Sequence, residues 1–421
     1  MSESFGVASL ENKNTWKIIE EELEKPSIFK SRESLSPEYI PDQLPHREKE
    51  LRELTSYFKH LVTTPGSISQ RVLITGRVGT GKTALAKVFG RDFTRLAAEK
   101  NYKVRYAHVN CHRNRTLYNV IADIGRQLDV PVPSRGLSSK EMYDLILNYL
   151  DERDEYAIIT LDEFHYFANI SGPDAVYFIV RTYDAEELFR RLNFIFIAID
   201  PVKLGFLDPT TEGYLLRHLV KLNPYTSQQL FDILKYRAEE SMYEGSYDDE
   251  VLRFIADFEG WDKGGGGNAR HALEILHVAG SSAEADGRSR ITIEDVRKAI
   301  MNTSREILSV SEAIRDSPIH ELLILLSIVK LLRKTGRSEL KIGEVEEEYN
   351  AVCEFYGEVP RRHTQVYEYV MNLSRTGIIQ TRSSGKGQRG RSTMITLPYG
   401  PLDVLEKYLD ELIRKKIQLG L

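Results

Sequence analysis

The sequence is poor in cysteine, with only two in 421 residues. Cys111 and Cys353 lie far apart in the chain, and their surroundings match no metal-ligand spacing. This pattern argues against a disulfide framework and indicates a protein of a reducing compartment.

Long apolar runs are also missing. No stretch approaches 18 uninterrupted apolar residues, and the N-terminal sequence MSESFGVASLENKNTWK has no basic start followed by an apolar core. We therefore expect neither a membrane span nor a signal peptide. The expected location is the cytoplasm, without a membrane partner.

The chain as a whole has no excess of positive charge, because 57 Lys and Arg face 62 Asp and Glu and leave a net charge of −5. Bulk composition therefore gives no sign of nucleic-acid binding, and any such signal has to be local. The length exceeds what a single hydrophobic core usually organises, so it predicts two or three domains.

The first positive signal is an alternation of short apolar runs with longer amphipathic stretches between residue 71 and about residue 205. The runs are RVLITG, KVRYAHVN, YAIITLD and FIFIAID. This alternation predicts an α/β fold with a parallel sheet wrapped by helices. Helical patterns flank it, over 45–61 and from about 224 to 303, and a short helix is expected near 15–24.

The sequence GRVGTGKT, residues 76–83, fits the phosphate-binding pattern G-x-x-x-x-G-K-[ST] between a predicted strand and a predicted helix. Its glycines let backbone N–H groups point at phosphate oxygens, and the helix N-terminus adds a favourable dipole. Lys82 is predicted to neutralise the β- and γ-phosphates of ATP or ADP. The predicted nucleotide-binding residues of this loop are Gly76, Val78, Gly79, Thr80, Gly81, Lys82, Thr83 and Ala84.

The second half of such a site is an acid at the end of a strand, and AIITLDEFHYF supplies it. Asp162 is predicted to hold Mg²⁺ through water, and the Thr83 hydroxyl is predicted to bind it, because oxygen ligands suit this cation. Glu163 is the predicted catalytic residue, placed to polarise an attacking water.

With these motifs the sequence resembles an AAA+ ATPase with a C-terminal winged helix, in particular the archaeal origin-recognition and replication-initiator family of the Orc/Cdc type. The resemblance covers nearly the whole chain. It implies adenine contacts from YIPDQLPHREKE, and further nucleotide contacts from NPYTSQQLFDILKYR and from a sensor arginine in GGGGNARHALEIL. The residues it implies are Pro45, His46, Arg47, Tyr225, Arg237 and Arg270.

The sequence departs from the family pattern at two places. A polar sensor is expected at the end of FIFIAID, where Ile199 stands with Asp200 next to it. The expected arginine finger has only Arg217 as a candidate, and the fit is poor. We therefore expect nucleotide binding with slow ATP hydrolysis.

The C-terminal part reads as three helices, a hairpin and a last helix, which is the order of a winged helix-turn-helix. Its third helix, within 360–379, is expected to fit a major groove. From 361 to 391 there are seven Lys or Arg and one acid, a local net charge of +6. The predicted DNA-binding residues here are Arg361, Arg362, His363, Thr364, Gln365, Arg382, Lys386, Arg389 and Arg391.

The glycine-rich strip TRSSGKGQRGRS, residues 381–392, has an alternative to DNA binding, which is a solvated hairpin tip. The resemblance implies a second DNA element, a helical insertion over residues 111–142. Arg126 and Arg135 are its candidates, and ordinary surface arginines are an equally good interpretation of both.

The combined prediction is four segments: an N-terminal arm (1–44), an AAA+ base (45–222), a helical lid (223–304) and a winged-helix domain (305–421). We expect an ATP-dependent, site-specific double-stranded DNA-binding protein of the origin-recognition type. Its expected partners are DNA of the nucleoid, the replicative helicase, and other initiator copies or paralogues. The alternatives are an ATP-gated transcription regulator built from the same domains and a nucleotide-driven remodeller of protein partners.

Overall fold

A computed structural model gives the three-dimensional structure of the chain. It describes residues 16–17, 19–20, 27–131, 136–181, 187–199, 209–303, 313–383 and 393–419. Within these ranges no helix combines the length and the apolar character needed to cross a membrane. The helix predicted near 15–24 has helical residues at 16–17 and 19–20, and the rest of it lies outside the described residues.

The described residues divide into two compact units. One unit contains Ser36–Tyr236 and Ala256–Leu273, and the other contains the described residues up to Leu35, Arg237–Ile255 and those from Glu274 onward. The predicted four-segment division stays a prediction.

The first unit is built on a five-stranded parallel sheet with the strand order β2-β3-β4-β1-β5. This arrangement confirms the predicted parallel α/β fold. The strands are β1 (Arg71–Thr75), β2 (Val104–Asn110), β3 (Tyr156–Asp162), β4 (Leu192–Ala198) and β5 (Leu219–Lys221).

The strands β1, β3 and β4 are buried on both faces, which explains why they are nearly continuous apolar runs. Val72, Ile158 and Ile195 belong to the core on one face, whereas Leu73 and Ile159 belong to the core on the other. The helices α1 (Glu48–Phe58), α2 (His60–Thr63), α3 (Lys82–Glu99), α4 (Leu117–Gln127), α5 (Ser139–Glu152), α6 (Phe164–Arg181) and α7 (Pro209–Leu216) complete this part of the chain.

The following helices are α8 (Ser227–Ser241), α9 (Asp249–Glu259) and α10 (Ala269–Ala285), and each has residues in both units. The segment between α9 and α10 contains a short 3-10 helix, Trp261–Lys263, which is followed by four glycines and Asn268. The helical pattern predicted for this region is therefore present.

The second unit contains the winged helix. Its antiparallel sheet has the order β6-β8-β7, with β6 (Glu339–Lys341), β7 (Gln380–Ser383) and β8 (Thr393–Thr396). Its helices are α11 (Ile293–Thr303), α12 (Ile319–Thr335), α13 (Ile342–Tyr356), α14 (His363–Arg375) and α15 (Leu402–Leu419). This order confirms the winged helix predicted from the sequence.

Helix α11 is fastened to the winged helix within the second unit. The buried Arg297 side chain donates from Nε to the Leu397 carbonyl at 3.1 Å, and its guanidinium lies 5.3 Å from the Phe254 ring centroid. The Leu402 N–H donates to Glu294 Oε1 at 2.9 Å. The winged helix and α11 therefore form one packed body.

Candidate functional site

The phosphate loop turns sharply between β1 and α3. Gly79 and Gly81 have φ angles of 77° and 90°, which only glycine adopts without strain. A β-carbon at Gly79 would lie 1.7 Å from Asn268 Oδ1, so any side chain there would also collide. The Ala269 N–H donates to the Gly79 carbonyl at 3.1 Å, which fixes the tip of the loop at the start of α10.

Lys82 is a buried cation at the first residue of α3. Its Nζ donates to the carbonyl oxygens of Gly76 and Arg77 at 2.8 and 2.9 Å. Burial lowers the pKa of Lys82, and the nearby Glu163 and Asp162 carboxylates partly offset that effect. A buried ammonium that is hydrogen-bonded to neutral carbonyl groups is well placed to bind an anionic phosphate.

Asp162 ends β3 with both carboxylate oxygens engaged. Oδ2 accepts from Thr83 Oγ1 at 2.8 Å and contacts His108 Nε2 at 3.2 Å, and Oδ1 accepts from the Glu163 N–H at 2.9 Å. Burial raises the pKa of Asp162, but the His108, Thr83 and backbone interactions outweigh it, so the pKa is lowered. An ionised aspartate beside a threonine hydroxyl fits the donor set that Mg²⁺ prefers.

Glu163 follows directly and has an unusual backbone, with φ at +55°. Non-glycine residues rarely adopt this conformation, which costs about 1–3 kcal/mol and tends to occur at functional sites. Its Oε2 lies 3.5 Å from His165 Nε2, and about a third of its side chain is exposed. The carboxylate is thus accessible beside the buried Lys82 and Asp162.

Arg47 braces the phosphate loop from the sequence LPHRE. Its Nε and Nη2 donate to the Thr80 carbonyl at 3.1 and 2.9 Å, and Nη2 also donates to the Asn223 carbonyl at 2.8 Å. The guanidinium lies 3.9 Å from the ring centroid of the buried Tyr225. Arg47 and Tyr225 therefore meet at the loop, with Nε and Nη2 of Arg47 directed at backbone carbonyls and Nη1 at the Glu50 carboxylate, 3.4 Å away.

The two residues before Arg47, Pro45 and His46, are half-buried. His46 Nε2 contacts Asp232 Oδ2 of α8 at 2.8 Å, and Pro45 precedes it. Arg270 is exposed in the first turn of α10, and its charge contributes to lowering the pKa of Lys82. Arg237 is buried on α8 and lies near Glu240. Both residues belong to the second unit.

The two departures from the family pattern have different positions. Ile199 follows β4, and its carbonyl accepts from the Gly76 N–H at 3.3 Å. Asp200 lies outside the described residues. Arg217 is exposed between α7 and β5.

In the winged helix, the start of α14 is polar and exposed. Arg362, His363, Thr364 and Gln365 are exposed, and His363 Nδ1 contacts Glu346 Oε2 at 2.6 Å. Arg361 is held by two hydrogen bonds. Its side-chain Nε donates to His320 Nε2 at 2.9 Å, and its backbone N–H donates to the Tyr349 hydroxyl at 3.2 Å.

The other predicted DNA-binding arginines are paired or lie outside the described residues. Arg382 forms a bidentate pair with Glu339, at 2.6 and 3.1 Å, and Arg126 pairs with Asp123 on α4. Lys386, Arg389, Arg391 and Arg135 lie outside the described residues.

Sequence reasoning missed two residues that contact the nucleotide site. Asn268 fills the space beside Gly79, and the buried-strand residue His108 contacts Asp162. A polar residue near the end of an apolar strand, as in KVRYAHVN, is the signal that could have found His108.

A base with a phosphate loop, a helical lid and a winged helix together define an AAA+ protein of the initiator class. Family models agree: an AAA domain matches residues 69–200, the Cdc6 AAA+ ATPase-type lid domain matches 231–301, and the CDC6 C-terminal winged helix domain matches 312–407.

Similarity to individual proteins identifies the family. The ORC1-type DNA replication protein 2 of Sulfurisphaera tokodaii is 42% identical over 403 residues, which is 95% of this chain and 96% of that protein. This chain therefore belongs to the ORC1-type DNA replication protein family, as the resemblance indicated. ATP binding follows from its AAA+ fold.

Solved structures give the same result. Cdc6p from Pyrobaculum aerophilum has a TM-score of 0.81 and 34% identity, covering 93% of this chain and 100% of that one. The Aeropyrum pernix ORC2 protein, solved as ADPNP-ADP complexes, has a TM-score of 0.62 and 28% identity, and the match covers 93% of this chain and 100% of that one. The Aeropyrum pernix ORC1 protein, solved in complex with DNA, has a TM-score of 0.58 and 29% identity, and the match covers 94% of this chain and 99% of that one.

Proposed function

We propose that this protein is an ATP-dependent initiator that binds specific double-stranded DNA sites, starts DNA replication there and recruits the replicative helicase. The observation that carries the proposal is the buried Lys82 beside the Thr83–Asp162 pair, in a chain that also has a winged helix with an exposed, polar α14 start. Solved relatives with ADPNP-ADP and with DNA support both halves.

At the nucleotide site each residue has a distinct role. The Lys82 ammonium exchanges its two carbonyl acceptors for phosphate oxygens, which gives a stronger, charge-assisted interaction. Thr83 and Asp162 would hold Mg²⁺, which when bound neutralises phosphate charge. Arg47 and Tyr225 keep the loop in the shape that receives the phosphates, and His46, Pro45, Arg237 and Arg270 are proposed further nucleotide contacts.

Turnover at this site is proposed to be slow. Glu163 is the proposed group that polarises the attacking water. However, Ile199 has an apolar side chain at the expected sensor position, so it cannot orient that water by hydrogen bonding. Nucleotide would then act mainly as a bound regulator of the DNA-binding state.

At the DNA site, α14 is proposed to enter the major groove with Arg362, Thr364 and Gln365 at the base edges. Arg361 and Arg382, which hydrogen-bond to His320 and Glu339, are proposed further DNA contacts. Arg126 and Arg135 are proposed contacts to the DNA backbone or the minor groove. The protein would act in the cytoplasm, on nucleoid DNA, with further initiator copies or paralogues on the same site.

The test combines a map of bound genomic sites with duplex titrations. One or a few origin-like clusters, bound more tightly than scrambled duplex in the presence of ATP, would support the proposal. Occupancy of many promoters would instead support the transcription-regulator alternative. Binding without any sequence preference or salt dependence would contradict both DNA-binding functions.

A further inference from the structure

The strongest unassigned feature is a polar cluster inside the first unit, on the face of the sheet that α3 covers. His108 pairs in register with Thr160 of the neighbouring strand, and the Tyr106 hydroxyl lies 3.0 Å from Thr160 Oγ1 and 3.2 Å from His108 Nδ1. The Tyr106 hydroxyl also lies 3.0 Å from the Ala86 carbonyl of α3. The cluster therefore joins β2, β3 and the helix that carries Thr83.

Each ring nitrogen of His108 lies near a polar group. Nε2 lies 3.2 Å from Asp162 Oδ2, the same oxygen that accepts from Thr83. Because a carboxylate only accepts, Nε2 carries the proton, and Nδ1 faces the Tyr106 hydroxyl. The ring is thus held in the orientation that donates to Asp162.

The backbone of His108 is fixed as well. β2 is the edge strand of the sheet, so its outward N–H and C=O groups have no strand partner on that side. Gln127 of α4 satisfies both, with Oε1 accepting from the His108 N–H at 2.8 Å and Nε2 donating to the His108 carbonyl at 3.0 Å. Asp123 Oδ2 in turn accepts from Gln127 Nε2 at 3.2 Å.

We propose that His108 is a positioning residue for the metal site. It holds the Asp162 carboxylate against Thr83, and Gln127 fixes the backbone position of His108. This inference rests on the proposed nucleotide site. Groups that orient a metal-binding carboxylate typically change metal affinity by 10–100-fold when removed. The proposal therefore predicts an effect confined to the Mg²⁺-dependent part of nucleotide binding.

The experiment measures the Kd of the full chain for ATP by calorimetry, once with Mg²⁺ and once with EDTA. The ratio of the two values is the Mg²⁺ enhancement. His108→Leu is expected to reduce this enhancement by roughly 10-fold or more, with the EDTA value changed less than about 2-fold. His108→Gln, which can place an amide N–H near the Nε2 position, is expected to restore most of it.

Tyr106→Phe is a second test variant, and His112→Leu is the matched control. Tyr106→Phe leaves His108 in place but removes the hydroxyl at Nδ1, so it should give a smaller loss in the same direction; it also serves if His108→Leu does not fold. His112→Leu changes an exposed histidine just after β2 and should behave as the wild type.

An unchanged Mg²⁺ enhancement in His108→Leu and Tyr106→Phe would overturn the proposal. So would equal losses with Mg²⁺ and with EDTA, since they would indicate a purely structural role. A wild-type protein that binds no nucleotide would instead contradict the proposed function itself.

Discussion

At the scale of single residues, Lys82 gives the most direct test of the nucleotide site. Lys82→Ala removes the buried ammonium while the apolar cores on both sheet faces keep their members. Nucleotide binding should become too weak to measure at concentrations that saturate the wild type, with the unfolding temperature changed by only a few degrees. Calorimetric titration and thermal unfolding measure the two quantities.

The matched control is Lys100→Ala, which removes an exposed lysine just after the same helix. It should bind nucleotide as the wild type does. Wild-type affinity in Lys82→Ala would show that the phosphates bind elsewhere.

Glu163 separates binding from turnover. Glu163→Gln keeps the side-chain shape but removes the charge that polarises water, so ATP should stay bound while hydrolysis slows, by roughly 10²–10⁴-fold if general-base catalysis operates. Single-turnover hydrolysis with a parallel Kd measurement tests this. Rapid steady turnover by wild-type monomer would contradict the interpretation of Ile199 as a missing sensor.

Residue roles differ in how far the sequence can predict them. Lys82 and Thr83 could be singled out as candidates because their motif is local and its spacing alone defines the loop. His108 could not, because its contact with Asp162 exists only in the parallel register of β2 and β3. Arg47 was singled out through a family resemblance, but its hydrogen bonds to backbone carbonyls depend on packing that no motif encodes.

At the scale of elements, the short 3-10 helix before α10 provides a spectroscopic probe. The Arg77 guanidinium lies 4.5 Å from the ring centroid of Trp261, and Arg77 belongs to the phosphate loop. Nucleotide binding should therefore change the Trp261 emission. Because the chain has only two tryptophans, Trp16→Phe should retain the change and Trp261→Phe should abolish it. A change that survives Trp261→Phe would contradict the assignment.

The helices of the winged domain contain a pH-sensitive contact. Burial, with help from Arg361, lowers the pKa of His320, whereas Glu358 acts in the opposite direction. The Arg361 Nε–H points at His320 Nε2, so the folded protein requires the neutral ring. As the pH falls below the unfolded value of about 6.5, the unfolded state gains a proton that the folded state resists, so stability falls.

Urea unfolding at pH 7.5 and 5.5 tests this contact. The wild type should lose more stability between the two pH values than His320→Gln, which cannot titrate, and the exposed-site control His112→Gln should match the wild type. Equal losses in the wild type and His320→Gln would show that His320 does not contribute.

Elements also differ in how visible they are in the sequence. The four long strands of the parallel sheet were predicted because they form apolar runs, and β1, β3 and β4 are buried on both faces. The three-residue strands β5 and β6 were not, because each buries only its central residue, which is too short a pattern to recognise. Their positions come from pairing with β1 and β8.

At the scale of the whole molecule, the distribution of charge predicts where DNA binds. The chain carries −5 overall, yet residues 361–391 carry +6 locally. The acidic remainder repels the DNA backbone, so binding should be confined to the basic segment rather than spread over the surface. The arginines Arg389 and Arg391 belong to this segment, in the glycine-rich strip of the predicted wing.

Replacing both Arg389 and Arg391 with Ala should weaken binding to every duplex. Each cation removed from a phosphate contact should flatten the slope of log K against log salt by roughly 0.9. A double variant of the exposed Lys407 and Lys415 on α15 makes the same change in net charge and should leave the slope unaltered. Titrations of target and scrambled duplex at several salt concentrations measure both. Equal slopes in the wild type and the Arg389/Arg391 variant would mean that the strip is a solvated hairpin tip. If the lysine control flattened the slope as much as the arginine variant, the overall charge of the protein, and not the position of the cations, would govern binding.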